Sequence, residues 1–149
     1  MKRQGWLLGC LLFFSIGVLW AKDESDLCIL QQQAAQDKSL DSYIKVCKYL
    51  YQTEEDADLL LLYADSIHQL ATDSKEPEHL VEYYIWASEG HFIKGDFERG
   101  YALKRVAIAL AEKSRLKFEI VHACCDMGYY CNAEARYDSA RHYFRRGLK

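Results

Sequence analysis

The segment ARYDSARHYFRRG, residues 135–147, decides how this chain of 149 residues folds. Small side chains and large rings recur along it: Ala135, Ala140 and Gly147 are small, and Tyr137 and Phe144 are large. Most of the remaining positions in the segment are polar or charged. Because positions 140, 144 and 147 are four and three residues apart, they share one face of a helix. The segment therefore predicts an amphipathic helix that packs closely on another helix.

The same arrangement occurs 40 residues earlier in the chain. The positions that coincide at this shift are Gly95-Asp96-Phe97 with Ala135-Arg136-Tyr137, Gly100 with Ala140, Ala107 with Gly147, and Ala87-Ser88 with Met127-Gly128. Self-similarity at a fixed spacing of this size is typical of stacked helical hairpins, each of which buries its apolar face only against its neighbours. We therefore expect a repeat architecture.

Each repeat is predicted to contain two helices. In the second repeat Pro77 opens the first helix, since proline is tolerated in a first turn, and Gly95 makes the turn that follows. The second helix then covers 97–113. By the same pattern the other helices cover 24–36, 39–52, 55–73, 117–133 and 137–149. The chain has one proline and no stretch of strict alternation, so an all-α fold is predicted, with a leading helix within 22–37 and a repeat domain at 38–149.

These residues resemble the tetratricopeptide repeat, which has a small residue inside the first helix and alternating small and large residues along the second. The resemblance implies a right-handed α-solenoid of about three repeats, in which Gly128 and Ala140 let two helices approach while Tyr137 and Phe144 fill the space to the neighbouring hairpin. The repeat-packing positions are Ala87, Gly95, Phe97, Gly100, Ala107, Gly128, Tyr137, Ala140, Phe144 and Gly147. The chain departs from the family in its period, since that family repeats every 34 residues or so, and in Lys104, which stands where Phe144 stands one repeat later.

The first 21 residues have the order of a secretory signal peptide. Lys2 and Arg3 precede an apolar run from Trp6 to Trp20, and Ala21 follows as a small residue at the expected cleavage site. We therefore predict an exported, periplasmic protein with a signal peptide at 1–21, and an uncleaved N-terminal anchor is the alternative. Because two of the 19 basic residues lie in this leader, 17 remain against 22 acidic ones, a net charge of −5. This charge argues against nucleic-acid binding.

The sequence contains little that indicates catalysis. His122, Cys125 and Asp126 have a spacing that could bind a metal ion on one helix, but no second pair of ligands accompanies them. We interpret them instead as a polar trio that faces a groove. Five cysteines follow the leader, and Cys28 with Cys47 is the one pair that we would test for a disulfide. We therefore predict a protein that is not an enzyme and has no metal and no cofactor.

The resemblance implies that the first helix of each repeat lines a concave, partner-binding face. Carried over residue by residue, this face contains Tyr49, Gln52, Glu82, Ile85, Glu89, Phe92, His122, Tyr129 and Asn132, together with Ser42, Lys45 and Cys125. Exposed aromatic residues in such a groove would anchor a partner segment. In the alternative interpretation Ile85 and Phe92 simply pack against neighbouring helices.

The last helix carries Arg136, Arg141, Arg145 and Arg146, which we interpret as a solvated face, with a patch for an acidic partner as the alternative. A solenoid needs a polar cap, and Tyr143, Phe144 and Leu148 would leave apolar surface at this end. We therefore expect a chain that is truncated relative to a longer parent with further repeats and a C-terminal membrane span, although docking onto another copy is also possible.

The function that these patterns favour is the binding of a protein or peptide. The longer repeat resembles the exported N-terminal regions of bacterial sensor kinases and regulators, which implies a non-catalytic module of a signalling-related protein. The alternative is a domain that senses a small ligand, a metabolite or a glycan, for a membrane-bound receptor. The oligomeric state stays open.

Overall fold

A computed structural model describes residues 26–53 and 56–148 of the chain. The described residues form helices and connecting turns, without a β-strand. The first helix, α1, covers 26–37 within the described residues. The six that follow are α2 Leu40–Thr53, α3 Ala57–Ser74, α4 Pro77–Ile93, α5 Phe97–Ser114, α6 Lys117–Ala133 and α7 Tyr137–Gly147. The predicted all-α class is confirmed. The signal peptide predicted at 1–21 lies outside the described residues.

Local chemistry explains where the helices begin and end. The side chains of Asp56 and Asp96 each accept a hydrogen bond from a backbone N–H three residues ahead, which caps α3 and α5. Pro77 occupies the first turn of α4, as predicted. The helices α3, α5 and α7 begin at residues 57, 97 and 137, and α4 and α6 begin at 77 and 117. Equivalent helix starts are thus 40 residues apart from α3 onward.

The backbone turns recur at the same spacing. Lys75 and Arg115 both have a φ of 59° after α3 and α5, and Gly95 and Ala135 have φ values of 77° and 57° after α4 and α6. Such left-handed residues end helices by directing backbone N–H groups at the last carbonyls. Glycine adopts this conformation without strain, whereas the other three residues carry a Cβ atom that crowds the backbone.

Each helix packs mainly against the helices next to it in sequence. Among α2 to α7 the remaining contacts are those of α2 with α4 and of α4 with α6. The helices α5 and α7 do not pack on each other, and neither do α3 and α5. The helices α2, α4 and α6 therefore lie side by side in one row, whereas α3, α5 and α7 make no close backbone contact with one another.

Two hydrophobic cores meet at α4. Trp86 and Ala87 join the core that α1, α2 and α3 supply, while Val81, Ile85 and Phe92 join the core formed with α5, α6 and α7. Because α4 serves both cores, it is buried on nearly all sides. Its polar residues in the middle are buried as a consequence, among them Glu82, Ser88 and Glu89.

Close helix contacts occur at two of the predicted small residues. A Cβ atom added at Gly100 would lie 2.8 Å from the ring of Phe92, and one added at Gly128 would lie 2.6 Å from the ring of Phe144. Ala87, Ala107 and Ala140 are buried, as expected of packing residues. A Cβ atom added at Gly147 would lie 3.1 Å from Cβ of Cys124.

The large rings are placed differently from the prediction. Phe144 covers Gly128 of its own hairpin rather than filling the space to the neighbouring hairpin, and it stays 41% exposed. Tyr137 and Phe97 are also exposed. The reason is that Cβ bonds tilt toward a helix N-terminus, so the first side chain of a helix points back toward the turn. Phe97 accordingly lies beside Phe92, with ring centroids 6.2 Å apart.

No described helix has the length and apolar character that a membrane crossing requires. The two cysteines considered for a disulfide are unpaired: Cys28 is exposed on α1 and Cys47 is buried in α2.

Candidate binding groove across the even-numbered helices

An open groove of about 220 Å³ lies across the side formed by α2, α4 and α6. We call it the even-helix groove. Its lining is polar and aromatic and comes from all three helices: Lys48, Tyr51 and Gln52 from α2, Trp86 and Glu89 from α4, and His122 and Asp126 from α6. Residues almost 80 positions apart in sequence therefore meet here because the three helices pack side by side.

The floor of the groove is a buried ion network centred on Lys104. This lysine reaches up from α5 with no exposed surface, and its Nζ donates to Oε1 of Glu89 and, at 2.9 Å, to Oδ2 of Asp126. The Tyr130 hydroxyl donates to the other oxygen of Glu89 at 2.5 Å. Both carboxylates are thus held from below, and Asp126 also faces the groove.

The charges of this network stabilise one another. Burial alone would lower the pKa of Lys104, but Glu89 and Asp126 outweigh it and raise that pKa, so the lysine is a cation. Burial and the negative charge of Glu89 raise the pKa of Tyr130, so its hydroxyl remains a donor. A buried cation with two carboxylates satisfies the rule that interior charges are paired and hydrogen-bonded.

His122 forms one wall of the groove. Its Nε2 lies 3.6 Å from Oδ2 of Asp126, and its ring lies 6.0 Å from that of Trp86 in an edge-on arrangement. Burial lowers the pKa of His122 despite the opposing effect of Asp126, so the ring is neutral at pH 7. Its Nδ1 is buried and has no hydrogen-bond partner among the described residues.

Glu82 lies one turn before Trp86 and fixes the orientation of the indole ring. The indole Nε1–H donates to Oε2 of Glu82 at 2.8 Å, and both side chains are buried. Burial raises the pKa of Glu82 to about 7, and the nearby carboxylate of Glu119 adds to this while Trp86 and Lys48 oppose it. The groove therefore has an acid beneath it that changes charge near neutral pH.

The structure brings together three of the predicted concave-face residues and separates the others. Gln52, Glu89 and His122 line the groove, whereas Tyr129 and Asn132 are exposed beyond it and Tyr49 is half-buried. Ile85 and Phe92 are buried, as in the interpretation that they pack against neighbouring helices. Phe92 stacks on Tyr130 with ring centroids 3.8 Å apart and contacts Tyr101 edge-on.

The sequence prediction of this face did not include three residues of the groove: Lys48, Tyr51 and Trp86. It did place Asp126 there together with His122 and Cys125, and of these three Cys125 is exposed outside the lining. A polar stripe did signal part of it, since Glu82, Trp86 and Glu89 are four and three residues apart on one face of an otherwise apolar helix. In the sequence Lys104 is visible only as a departure from the repeat, because its partners lie on other helices.

The arrangement supports binding through hydrogen bonds and charge. Among the described residues no group of three or more His, Cys, Asp or Glu side chains is placed to hold a metal ion. The space between Glu89 and Asp126 is instead occupied by the Lys104 ammonium group. No family model, no curated protein and no solved structure matches this chain.

Proposed function

We propose that this protein is a non-catalytic, tetratricopeptide-like helical repeat module that binds a segment of a partner protein or peptide in the even-helix groove. The observation that carries the proposal is the convergence of residues from α2, α4 and α6 on one open groove with a fixed, charged floor. Binding sites of repeat proteins are surfaces of this kind, built from equivalent helices of successive units.

Regular spacing supports the repeat part of the proposal. Helix starts at 57, 97 and 137 and at 77 and 117, together with left-handed residues at 75 and 115 and at 95 and 135, follow a 40-residue interval. The contacts of each helix with its neighbours in sequence, and of each even-numbered helix with the next, fit hairpins stacked in a row.

The size of the groove favours a peptide over a free metabolite. Pockets for drug-sized ligands enclose about 300–1,000 Å³, and this groove has about 220 Å³ and is open. Such a space accepts one or two side chains of a longer segment, whose backbone would lie over Gln52 and Lys48. Export to the periplasm and a part in signalling complete the proposal and rest on the leader-like N-terminus and the resemblance of the repeats.

The experiment is a selection of random displayed peptides on the purified protein, followed by titration of each selected peptide. Trp86 is the one tryptophan outside residues 1–21 and lines the groove, so peptides that bind there should change its fluorescence. Lys48→Glu and Gln52→Ala should weaken binding about fivefold or more, whereas Arg99→Glu, on the first turn of α5, should not. Peptides that bind both groove variants as well as the original protein would refute the proposal.

The second candidate is the sensing of a small ligand, which the aromatic walls at Tyr51, Trp86 and His122 favour. A metabolite present at 100 times its dissociation constant stabilises a folded protein by about 2.7 kcal/mol. Thermal melting with a panel of sugars, amino acids and carboxylates separates the two candidates. A clear stabilisation that Lys48→Glu abolishes would favour the small ligand.

A further inference from the structure

A second groove lies on the opposite side of the molecule, in the gap between α5 and α7. It has a volume of about 820 Å³, and its lining comes mostly from α7, with Glu112 of α5 on the far side and Ile120 of α6 at the bottom. A hollow of about 510 Å³ shares Glu112 and Ile120 and continues it toward the start of α6. We call the two together the odd-helix groove. It exists because α5 and α7 do not pack on each other, so α6 is uncovered between them.

The lining of the odd-helix groove contains more cationic side chains than acidic side chains that could pair with them. Arg146 donates to both carboxylate oxygens of Glu112, at 2.6 and 2.7 Å, and Arg141 donates to Asp138 at 2.7 Å, which uses both acids of the lining. Arg115, Lys117 and Arg145 also line it. These three cations are exposed, and none has an acidic partner within residues 26–53 and 56–148.

The charge of this basic surface is opposite in sign to the net charge of the whole chain. The formal net charge of the protein is −3, yet three unpaired cations surround one groove. Surface cations are ordinarily interspersed with acids, and a local excess of one sign attracts ligands of the other sign.

Apolar side chains lie between these cations. Val121 is 44% exposed and Leu148 is 87% exposed, and half-buried Ile120 lies between the two parts of the groove. Amphipathic helices bind in grooves by placing apolar residues on the floor and polar residues at the rim. A lining that combines the cations Arg115, Lys117 and Arg145 with these apolar side chains matches an amphipathic segment whose polar residues are acidic.

We propose that the odd-helix groove binds an acidic, amphipathic segment of a partner protein. Aspartate and glutamate side chains of the segment pair with Arg115, Lys117 and Arg145, and its apolar residues contact Ile120, Val121 and Leu148. A nucleic-acid backbone fits less well, because its phosphates would meet the carboxylates of Glu112 and Asp138 and would gain nothing from the apolar floor. The site is separate from the even-helix groove and does not depend on the function proposed there.

The test measures the fluorescence anisotropy of a labelled synthetic peptide in which glutamate and leucine alternate at helical spacing. A peptide with lysine in place of every glutamate is the matched control. We expect the acidic peptide to bind, the basic peptide not to bind, and binding to weaken as salt rises, since exposed charges are screened. Failure of the acidic peptide to bind, or equal binding of both peptides, would overturn the proposal.

Charge reversal then locates the site. Arg145→Glu and the double variant Arg115→Glu/Lys117→Glu should each weaken the acidic peptide about tenfold, and Arg99→Glu should leave its affinity unchanged. These positions are exposed, and far-ultraviolet circular dichroism verifies that each variant stays helical. Unchanged affinity in the reversed variants would contradict the proposal, as would tighter binding of a DNA oligonucleotide or of anionic phospholipid vesicles than of the peptide. Val121→Ser should weaken the binding of the acidic peptide less than charge reversal does, and it should leave the salt dependence of binding unchanged.

Discussion

Lys104 and Asp126 are 22 residues apart in sequence, yet Nζ of the lysine lies 2.9 Å from Oδ2 of the aspartate beneath the even-helix groove. Glu89 completes the network from a third helix. Lys104 has no exposed surface, so its charge is stabilised by these two carboxylates alone and by no bulk water.

Replacement of this lysine should be among the most destabilising single changes in the chain. Lys104→Met leaves Glu89 and Asp126 without their cation, and breaking a buried pair in this way costs about 3–5 kcal/mol. The free energy of unfolding measured in urea checks the loss. Lys94→Met is the matched control, because Lys94 pairs with Asp58 at 2.6 Å on the exposed surface, where a pair contributes at most about 1 kcal/mol. Similar losses in the two variants would mean that the network does not carry the expected energy.

Glu82 should make the stability of the protein depend on pH. Burial raises its pKa from 4.5 to about 7, so the folded protein holds the proton more tightly than the unfolded chain. The contribution of this bound proton to the free energy of unfolding is complete below pH 4.5 and is lost as the pH rises to about 7. Glu82→Gln keeps an acceptor for Trp86 but cannot ionise, so it should raise the free energy of unfolding at pH 8 by about 1–3 kcal/mol and have little effect at pH 4.

Two measurements check this prediction. Urea unfolding across the pH range compares Glu82→Gln with Glu98→Gln, a control on the exposed first turn of α5. Fluorescence of Trp86 in the folded protein should titrate near pH 7 and lose this transition in Glu82→Gln. A transition that persists in that variant would point to another group, such as His122, whose ring lies 6.0 Å from that of Trp86.

Two glycines with the same close contact should respond differently to alanine. At Gly100 the new methyl group would press on Phe92, which is 5% exposed and stacked on Tyr130. At Gly128 it would press on the half-exposed ring of Phe144, which can turn toward solvent. Overpacking in a rigid core costs about 1–3 kcal/mol, and the helix propensity of alanine returns about 1 kcal/mol. Gly100→Ala should therefore destabilise the protein and Gly128→Ala should be nearly neutral in thermal unfolding. The opposite order would show that the Phe92 cluster is the more adaptable one.

Gly95 and Ala135 occupy equivalent turns, so swapping glycine for alanine at one and alanine for glycine at the other should change the stability in opposite directions. A Cβ atom at Gly95 meets no atom within 4 Å, so Gly95→Ala changes only the backbone strain of a residue with a φ of 77°. It should cost about 1 kcal/mol. Ala135 has a φ of 57° at the equivalent turn, and Ala135→Gly should relieve strain and stabilise the protein by up to about 1 kcal/mol. Denaturant midpoints measure both, and equal signs for the two changes would contradict the equivalence of these turns.

The sequence by itself determined the helices. The predicted helices at 97–113 and 117–133 coincide with α5 and α6 to within a residue. The reason is that the signals for helix ends are local: the period of the apolar residues, and residues such as Pro77 and Gly95, determine the backbone conformation over one or two turns. It also placed the small residues Gly100 and Gly128 at close contacts, because a small side chain that recurs on one helix face leaves room for a neighbouring group to approach.

Only the tertiary structure decided which face of each helix meets which neighbour. The apolar character of α4 is spread around the helix, so its sequence does not favour one buried face. Ile85, Phe92, Trp86 and Glu89 are all buried, yet only Trp86 and Glu89 reach the lining of the even-helix groove. The partners of Lys104 lie 15 and 22 residues away on α4 and α6, and no local pattern brings them together. The gap between α5 and α7 likewise results from how three helices stack. These features depend on the rotation and spacing of packed helices, which is a property of long-range contacts.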